Sequence, residues 1–469
     1  MSISAALSNA LSGLGAAGRR AEVVSSNIAN AATPGYAPRV AELTSASIDG
    51  AGAGVRVARV RRDADALLVA DRRLADAAAG AAATGAEALV RVERAAGAPD
   101  DASSLVGRLA AFEAALVSAA ANPASEARLA DVGDAAAAVA ASFGATSDAI
   151  QAERARADAA IAADVETLNG ALARVSELNG LIRRSAGGSR DVNTLIDQRQ
   201  QAIDAVAAIV PIRSVERSDG RIALFTQGGL VLVDSAAREV GFTPATTMAP
   251  AMTLAGGALS GLSVDGRPAP PSALAGGRIG AALILRDETL PAMAATLDRV
   301  AADLLGRLEA ADATLPPGAA GLLTDAGAAL DPAATTGLAG RLTLNAAVDP
   351  AAGGALWRLR DGIGAPAPGL SGNAAGLLAL ADGLAAGAGI GDGAAGFVSS
   401  VARARIAAED EAGFAAGRQA ALQAIEAQGG VDTDAELAEL LRIEQAYAAN
   451  ARVISAVDEL LRQLTGLGR

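Results

Sequence analysis

Apolar residues recur at alternating spacings of three and four at both ends of the chain. Near the N-terminus Leu7, Leu11, Leu14, Ala21 and Ile28 form one stripe, with Gly18 and Ser25 at the remaining positions. Near the C-terminus Leu440, Ile443, Tyr447, Asn450, Ile454, Val457, Leu461 and Leu464 keep the same alternation. That period puts each set on one helical face and suits a coiled-coil partner. Chain ends ordinarily fray, so two patterned ends predict termini that meet. Asn450 fixes register if it lies in the seam; a small rotation turns it to solvent and brings Ala451 in.

Between these ends the period changes several times. A first helix reads over about 4–28 and stops at Asn30. In Thr33-Pro34-Gly35-Tyr36 proline presets the first turn angle and glycine supplies positive φ, which suits a type II turn. A short extended segment follows, with Val40 and Leu43, then Val55, Val57 and Val60. Helical patterns return over about 63–96 and 100–121. Asn122-Pro123 reads as N-cap and first position of a very long helix, or helix pair, ending near Arg184. Its later seam is Ile161, Val165, Leu168, Leu172, Val175, Leu178 and Ile182, and Ser185-Ala186-Gly187-Gly188-Ser189 closes it. Another helix reads over 192–209. The period then drops to that of strands over 212–215, 222–225 and 230–233, separated by turn signals at Ser218-Asp219-Gly220 and Gln227-Gly228-Gly229. Helix resumes over 280–310. Residues 315–393 have weak periodicity, with a short strand expected near 342–344, a short helix near 377–384 and Trp357 as a packing anchor. From Phe397 helix runs, with breaks, into the C-terminal stripe.

The expected fold is mainly α with a β insertion. It is an elongated, multi-domain molecule with N- and C-terminal helices paired as a coiled coil, a long helical-bundle middle and a small β-rich domain. The expected division is 1–32 with 433–469 as the terminal coiled-coil domain. The elongated helical domain takes 33–210 with 278–314 and 394–432. Residues 211–277 are the β-rich insertion, and 315–393 an irregular region rich in Gly, Ala and Pro.

Composition narrows the chemistry. The 469 residues are 51% hydrophobic, much of it alanine, and only 2% aromatic, which favours close helical packing over a core of stacked rings. Net charge is −13 and all 39 basic residues are arginine. No basic stripe suits phosphate neutralisation, so nucleic acid is an unexpected partner. The chain has no cysteine and no histidine, which removes disulfides, Ser-His-Asp and Cys-His catalysis, and His- or Cys-based metal sites. The acidic run at 409–411 reads as a solvated helix face. Gly187-Gly188 lacks the Lys-Ser/Thr of a phosphate loop. The start has no positively charged leader segment, and no run approaches the ~20 apolar residues of a membrane span. No catalytic, cofactor or metal site is expected.

Ala10-Leu11-Ser12-Gly13-Leu14, Ser26-Asn27-Ile28-Ala29-Asn30 and Thr33-Pro34-Gly35-Tyr36 resemble the N-terminal signature of bacterial flagellar rod, hook and hook-associated proteins. Glu444-Gln445-Ala446-Tyr447, followed by Asn450-Ala451-Arg452-Val453-Ile454, resembles their C-terminal signature. The middle narrows the choice. Ser176-Glu177-Leu178-Asn179 with Ile182-Arg183-Arg184, then Asn193, Leu195, Asp197-Gln198-Arg199 and Arg286-Asp287, resembles the hook-associated protein 1 family. Ala32 stands where members often carry asparagine, Pro38 intervenes before Arg39, and Gly429-Gly430-Val431-Asp432 replaces a Ser-Gly-Val-Asn-like entry to the last helix.

The resemblance implies a structural subunit at the junction between flagellar hook and filament, exported without a cleaved leader by the flagellar type III apparatus. The implied partners are further copies of itself, the hook protein, the second junction protein and an export chaperone on the C-terminal seam. The expected assembly interface is Leu7, Leu11, Leu14, Ile28, Asn30, Pro34, Gly35, Tyr36, Leu440, Ile443, Tyr447, Asn450, Ile454, Val457, Leu461 and Leu464. Another axial protein, such as a hook or rod protein, is the alternative, and an added adhesive role for the β insertion is compatible with either. Termini that gain a partner only on assembly are expected to order then.

Overall fold

The computed structural model describes residues 3–33, 35–48, 51–98, 100–185 and 192–466. Pro34, the Gly187-Gly188 run and the side chain of Leu464 fall outside the described residues.

The chain opens with helix α1 (Ile3–Asn30), then strands β1 (Arg39–Ile48) and β2 (Ala51–Arg62). These two strands pair antiparallel, from Arg39 against Arg62 to Ile48 against Ala51. The sequence reading treats this stretch as short extended segments. Irregular register at Glu42/Leu43 and Ser45/Ser47 blurs the period-two alternation that would otherwise mark the strands.

The body follows: α2 (Ala66–Ala96), α3 (Leu105–Ala121), α4 (Glu126–Ser185) and α5 (Asn193–Ala207). Asp65 caps α2 by accepting the Leu67 and Leu68 amides, and Ser104 caps α3 by accepting the Gly107 amide. Asn122 is the C-cap of α3 rather than the N-cap of the long helix. The long helix starts at Glu126, and Ser125 Oγ takes the capping role by accepting the Arg128 amide at 3.4 Å. The serine is a comparable cap three residues on, so Asn122 and Pro123 form the turn between the helices. α4 is one helix of 60 residues, about 90 Å long. All seven residues of its predicted later seam are buried. The same face continues upstream through Leu129, Val132, Ala136, Val139 and Phe143.

Two small antiparallel sheets follow, β3 (Ile212–Glu216), β4 (Ile222–Thr226) and β5 (Val231–Val233), then β6 (Val240–Gly241), β7 (Ser263–Val264) and β8 (Arg267–Pro268). Gly220 and Gly229 adopt φ of +80° and +85° at the two predicted turns. Helix resumes as α6 (Gly277–Ile284), passes through a π-helical turn at Leu285–Thr289 and continues as α7 (Leu290–Ala311). Residues 315–393 contain β9 (Leu323–Asp325), β10 (Leu342–Leu344), α8 (Trp357–Asp361) and α9 (Ala375–Ala385). Trp357 is half-buried, with the Arg358 guanidinium 4.7 Å from its ring centre. The chain ends in α10 (Ile390–Gln428) and α11 (Thr433–Gly466).

One hydrophobic core joins α3, α4, α7 and α9 with the sheets, and includes Leu224, Leu323, Leu342 and Leu377. A second, smaller core joins α1 to α11 through Ala17, Val24 and Ile443.

Candidate assembly joint

Helices α1 and α11 pack along each other in opposite directions. Arg20 pairs with Glu439, Asn27 Nδ2 donates to Glu436 Oε1 at 2.6 Å, and Gly13 lies against Asn450. Residue numbers rise along one helix as they fall along the other. The C-terminal end of α11 therefore runs past the start of α1; Leu461 there is 40% exposed.

The buried row on α1 is Ala10, Ala17 and Val24, one residue each seven, with Ala21 and Ile28 packed beside it. Leu7, Leu14, Ile28 and Asn30 are half-buried. Leu11 is 55% exposed, which corrects its placement in the seam. Alanines let two helices approach closely, and in an alanine-rich chain they are invisible as a stripe, so the bulkier leucines drew the predicted face too far round. On α11 Ile443 and Val457 are buried, and Leu440, Asn450 and Ile454 are half-buried. Tyr447, predicted for the seam, is 52% exposed.

Asn450 does sit in the seam. A Cβ built on Gly13 would lie 2.7–2.9 Å from the three atoms of its amide group, so the missing side chain of Gly13 is the space the amide occupies. Asn450 Nδ2 donates to Ala446 O of its own helix at 2.9 Å. Next to Gly13, Ser12 Oγ accepts the Val55 amide of β2 at 3.2 Å. The Ser12-Gly13 pair thus seats the hairpin on one side of α1 and α11 on the other.

At the other end of α1, Asn27 is the centre of a polar joint. It is 1% exposed. Its Oδ1 accepts the Tyr36 hydroxyl at 2.8 Å and the Arg39 amide at 2.9 Å. Its Nδ2 donates to Arg39 O at 2.9 Å as well as to Glu436. One side chain so ties the helix end, the loop after it and α11 together, and meets the requirement that a buried amide be fully hydrogen-bonded. Gly35, solvent-exposed, has φ of +75°, and the Tyr36 amide donates back to Thr33 O at 3.2 Å, closing the predicted turn. Burial pushes the Tyr36 hydroxyl above its ordinary value, against the bond to Ser26 and the Arg39 charge. Desolvation likewise raises the Glu436 carboxyl, against the Asn27 bond.

Arg39 carries the joint into the body. Its guanidinium lies 5.1 Å from the Tyr36 ring centre and reaches Asp197 Oδ2 and Thr194 Oγ1 of α5, both at 3.1 Å. Arg62, the last residue of β2, donates to Asp197 Oδ1 at 2.7 Å and to Gly35 O at 3.0 Å. The sequence reading missed Arg39 and Arg62 as interface residues, because their carboxylate lies more than a hundred positions away.

Three family models match, in chain order. Residues 7–36 match the model described as flagella basal body rod protein. Residues 91–314 match the flagellar hook-associated protein FlgK helical domain, and residues 424–467 the flagellar basal body rod FlgEFG protein C-terminal model. The flagellar hook-associated protein 1 of Salmonella typhimurium (strain LT2) is 29% identical over 255 residues, covering 52% of this chain and 45% of that protein. The helical middle of the chain is thus similar to the flagellar hook-associated protein 1 family, and its two ends to flagellar rod proteins. The Salmonella typhi protein of the same name matches to the same extent. The matched stretch thus spans under half the length of these relatives. A solved flagellar hook junction protein FlgK from Burkholderia pseudomallei is 19% identical with a TM-score of 0.47, covering 54% of this chain and 46% of that one.

The joint draws on all three matched segments: Asn27 from the first, Asp197 from the second and Glu436 from the third. Among the other residues that carry the resemblance to the hook-associated protein 1 family, Asn179, Arg199, Arg286 and Asp287 act as polar ties inside the helical segment. Asn179 exchanges both amide bonds with the Ile222 backbone, at 2.8 and 3.0 Å, and accepts Arg199 Nη1 at 2.9 Å. Burial lowers the Arg199 pKa to about 10. Arg286, in the π-helical turn and fully buried, pairs with Asp158 at 2.6 Å and Asp287 at 2.8 Å. Its carbonyl accepts Arg154 Nε at 3.0 Å. A buried guanidinium is tolerated only when its charge and donors are met this fully.

Residues 409–411 lie on the exposed side of α10. Among the described residues no acidic cluster of three is placed to hold a metal ion, and no helix is long and apolar enough to cross a membrane.

Proposed function

We propose that the chain is a structural subunit of the flagellar hook–filament junction that polymerises through α1 and α11. The observation that carries this reading is the order of the family matches: rod-type ends flank a hook-associated helical middle, and the two ends fold against each other. Exposed apolar side chains support it. After pairing, α11 still exposes Leu437, Leu441, Tyr447, Val453, Leu460 and Leu461, and α1 exposes Leu11. Covering the part of each such side chain that is still exposed gains roughly half of the ~1.5–3 kcal/mol of full burial, so a ring of subunits stabilises what a single copy leaves wet. The terminal helices, within 1–32 and 433–469, are the proposed inner layer. Further copies of the chain, the hook protein and the second junction protein are the proposed neighbours. An export chaperone on the exposed face of α11 is the proposed partner before secretion by the type III route. The family is structural, and no reaction is proposed.

Immunogold labelling of isolated hook–basal bodies tests the reading. Label confined to the distal end of the hook supports it. Label along the hook or the rod assigns the chain to another axial position and overturns it.

A further inference from the structure

Between 39 and 62, the stretch that forms β1 and β2, the chain carries five arginines against two carboxylates, although its net charge is −13. Arg39 and Arg62 turn inward to Asp197. The other three face solvent together, and an irregularity in the sheet is the reason. Glu42 pairs with Arg59 and Leu43 with Val57, so Ala58 is an extra residue in β2. Such a bulge shifts the alternation of faces by one position. Arg56 and Arg59, three apart, would otherwise lie on opposite faces. With the bulge, Arg56, Arg59 and Arg61 are all exposed, whereas Val55, Val57 and Val60 are half-buried. Glu42 serves both Arg59, at 2.6 Å, and Arg61, at 3.1 Å. No described carboxylate pairs with Arg56. Exposed Val40 stands opposite Arg61 in the register.

Helix α10 presents the complementary surface. Phe414 is 77% exposed, the only one of the six phenylalanines to be so. Asp410 and Glu411, four and three residues before it, stand on the same helical face. Both are exposed, and no described arginine pairs with either. A ring with carboxylates beside it suits arginine, whose guanidinium stacks on an aromatic face and donates in its own plane to carboxylates. Within one chain the two surfaces are apart. Gln419 and Gln423 bond Asp76, and Arg405 pairs with Glu93, so α10 runs antiparallel to α2. That register sets Phe414 roughly 25 Å along α2 from Asp65, where the chain leaves the hairpin. Both patches stay exposed in the single chain, so a contact between them needs a second copy.

We propose that the arginine face of the β1–β2 hairpin in one copy docks on Phe414, Asp410 and Glu411 of α10 in the next. This is a second, charge-matched contact between subunits, outside the paired terminal helices. The two patches differ, so the contact is head-to-tail. It leaves one patch of each kind open at the ends and propagates instead of closing a dimer. Two copies of an acidic chain repel in most orientations. The hairpin is where that repulsion turns to attraction, so it also sets which way round neighbours pack. The contact rests on the self-assembly proposed above and is independent of where along the flagellum the chain sits.

Crosslinking in isolated hook–basal bodies, read by immunoblot, tests this. The chain has no cysteine, so Ala58→Cys in the hairpin and Ala407→Cys on α10 supply its only thiols, and both positions are exposed. With a short bismaleimide, the chain bearing both is expected to give a ladder of covalent multimers, and the chain bearing either one alone is expected to give none. Asp410→Arg with Glu411→Arg should cut the ladder at least about fivefold, and so should Arg59→Glu with Arg61→Glu. The first pair makes the chain less negative and the second more so, and a general charge effect would move them in opposite directions. All four reversals together should restore the ladder. The α10 pair leaves the hairpin untouched and keeps the test available if reversing Arg59 and Arg61 disturbs the strands. No ladder from the doubly substituted chain in particles that carry it, or a ladder indifferent to the reversals, overturns the contact. A ladder from particles labelled away from the distal end of the hook supports the contact and overturns the junction reading instead.

Discussion

At the residue scale, small side chains decide what the large ones can do. Gly13 costs α1 about 1 kcal/mol of intrinsic helix stability relative to alanine. The contact with Asn450 explains why the position still suits glycine. Gly13→Ala alone should return less than that intrinsic gain, because the new methyl must displace the Asn450 amide. In an Asn450→Ala background the same change should return all of it. A double-mutant cycle read by amide exchange in α1 and α11 should give a coupling of at least ~0.5 kcal/mol. Additive effects would mean that the seam position of Asn450 is incidental. The sequence pattern raised the question of this asparagine's orientation and had no means to answer it, since a rotation of one residue width satisfies the period equally well.

Elements show the same ambiguity on a larger scale. The two terminal helices were legible from their periods, and so were α4's later seam and strands β3 to β5. Their partners and directions were not. Antiparallel packing sorts the predicted seam into inner residues, such as Ile443 and Val457, and outer ones, such as Tyr447 and Leu461. This sorting makes a prediction. Val457→Asp places a charge at a 6% exposed site and should open the α1–α11 pair, seen as lost amide protection of both helices. Leu461→Asp, beyond the start of α1, should leave that protection unchanged and lower self-association, measured by sedimentation. Equal loss of protection in both variants would contradict the antiparallel register. The hairpin was missed because neither strand has a clean alternation, its register being irregular at two places.

For the whole molecule, the weakly patterned region 315–393 turns out to share the main core, with Leu322, Leu323, Leu338, Leu342 and Leu377 buried in it, and to be pinned to the body by polar ties as well. Asp298 of α7 accepts the Gly337 amide at 2.7 Å and the Ala339 amide at 2.9 Å. Burial raises its carboxyl above the ordinary range, with these two donors opposing the shift. Asp298→Ala leaves both amides buried without an acceptor and should cost ~1–3 kcal/mol. Limited proteolysis is expected to cut first within 315–393 in this variant. An unchanged cleavage pattern would show that the apolar contacts of Leu338 and Leu342 suffice.

By itself the sequence determined the helical and extended periods, the absence of histidine and cysteine chemistry, and the order of family signatures from end to end. Those properties are local, or follow from composition. Only the tertiary structure decided which face of α1 is buried, that Asn450 fills the space at Gly13, and that Arg39 and Arg62 share Asp197. The physical reason is that a period defines a face only up to rotation, and an ion pair between residues far apart in the chain leaves no trace in either one's neighbours. The partner's shape and charge supply the missing information.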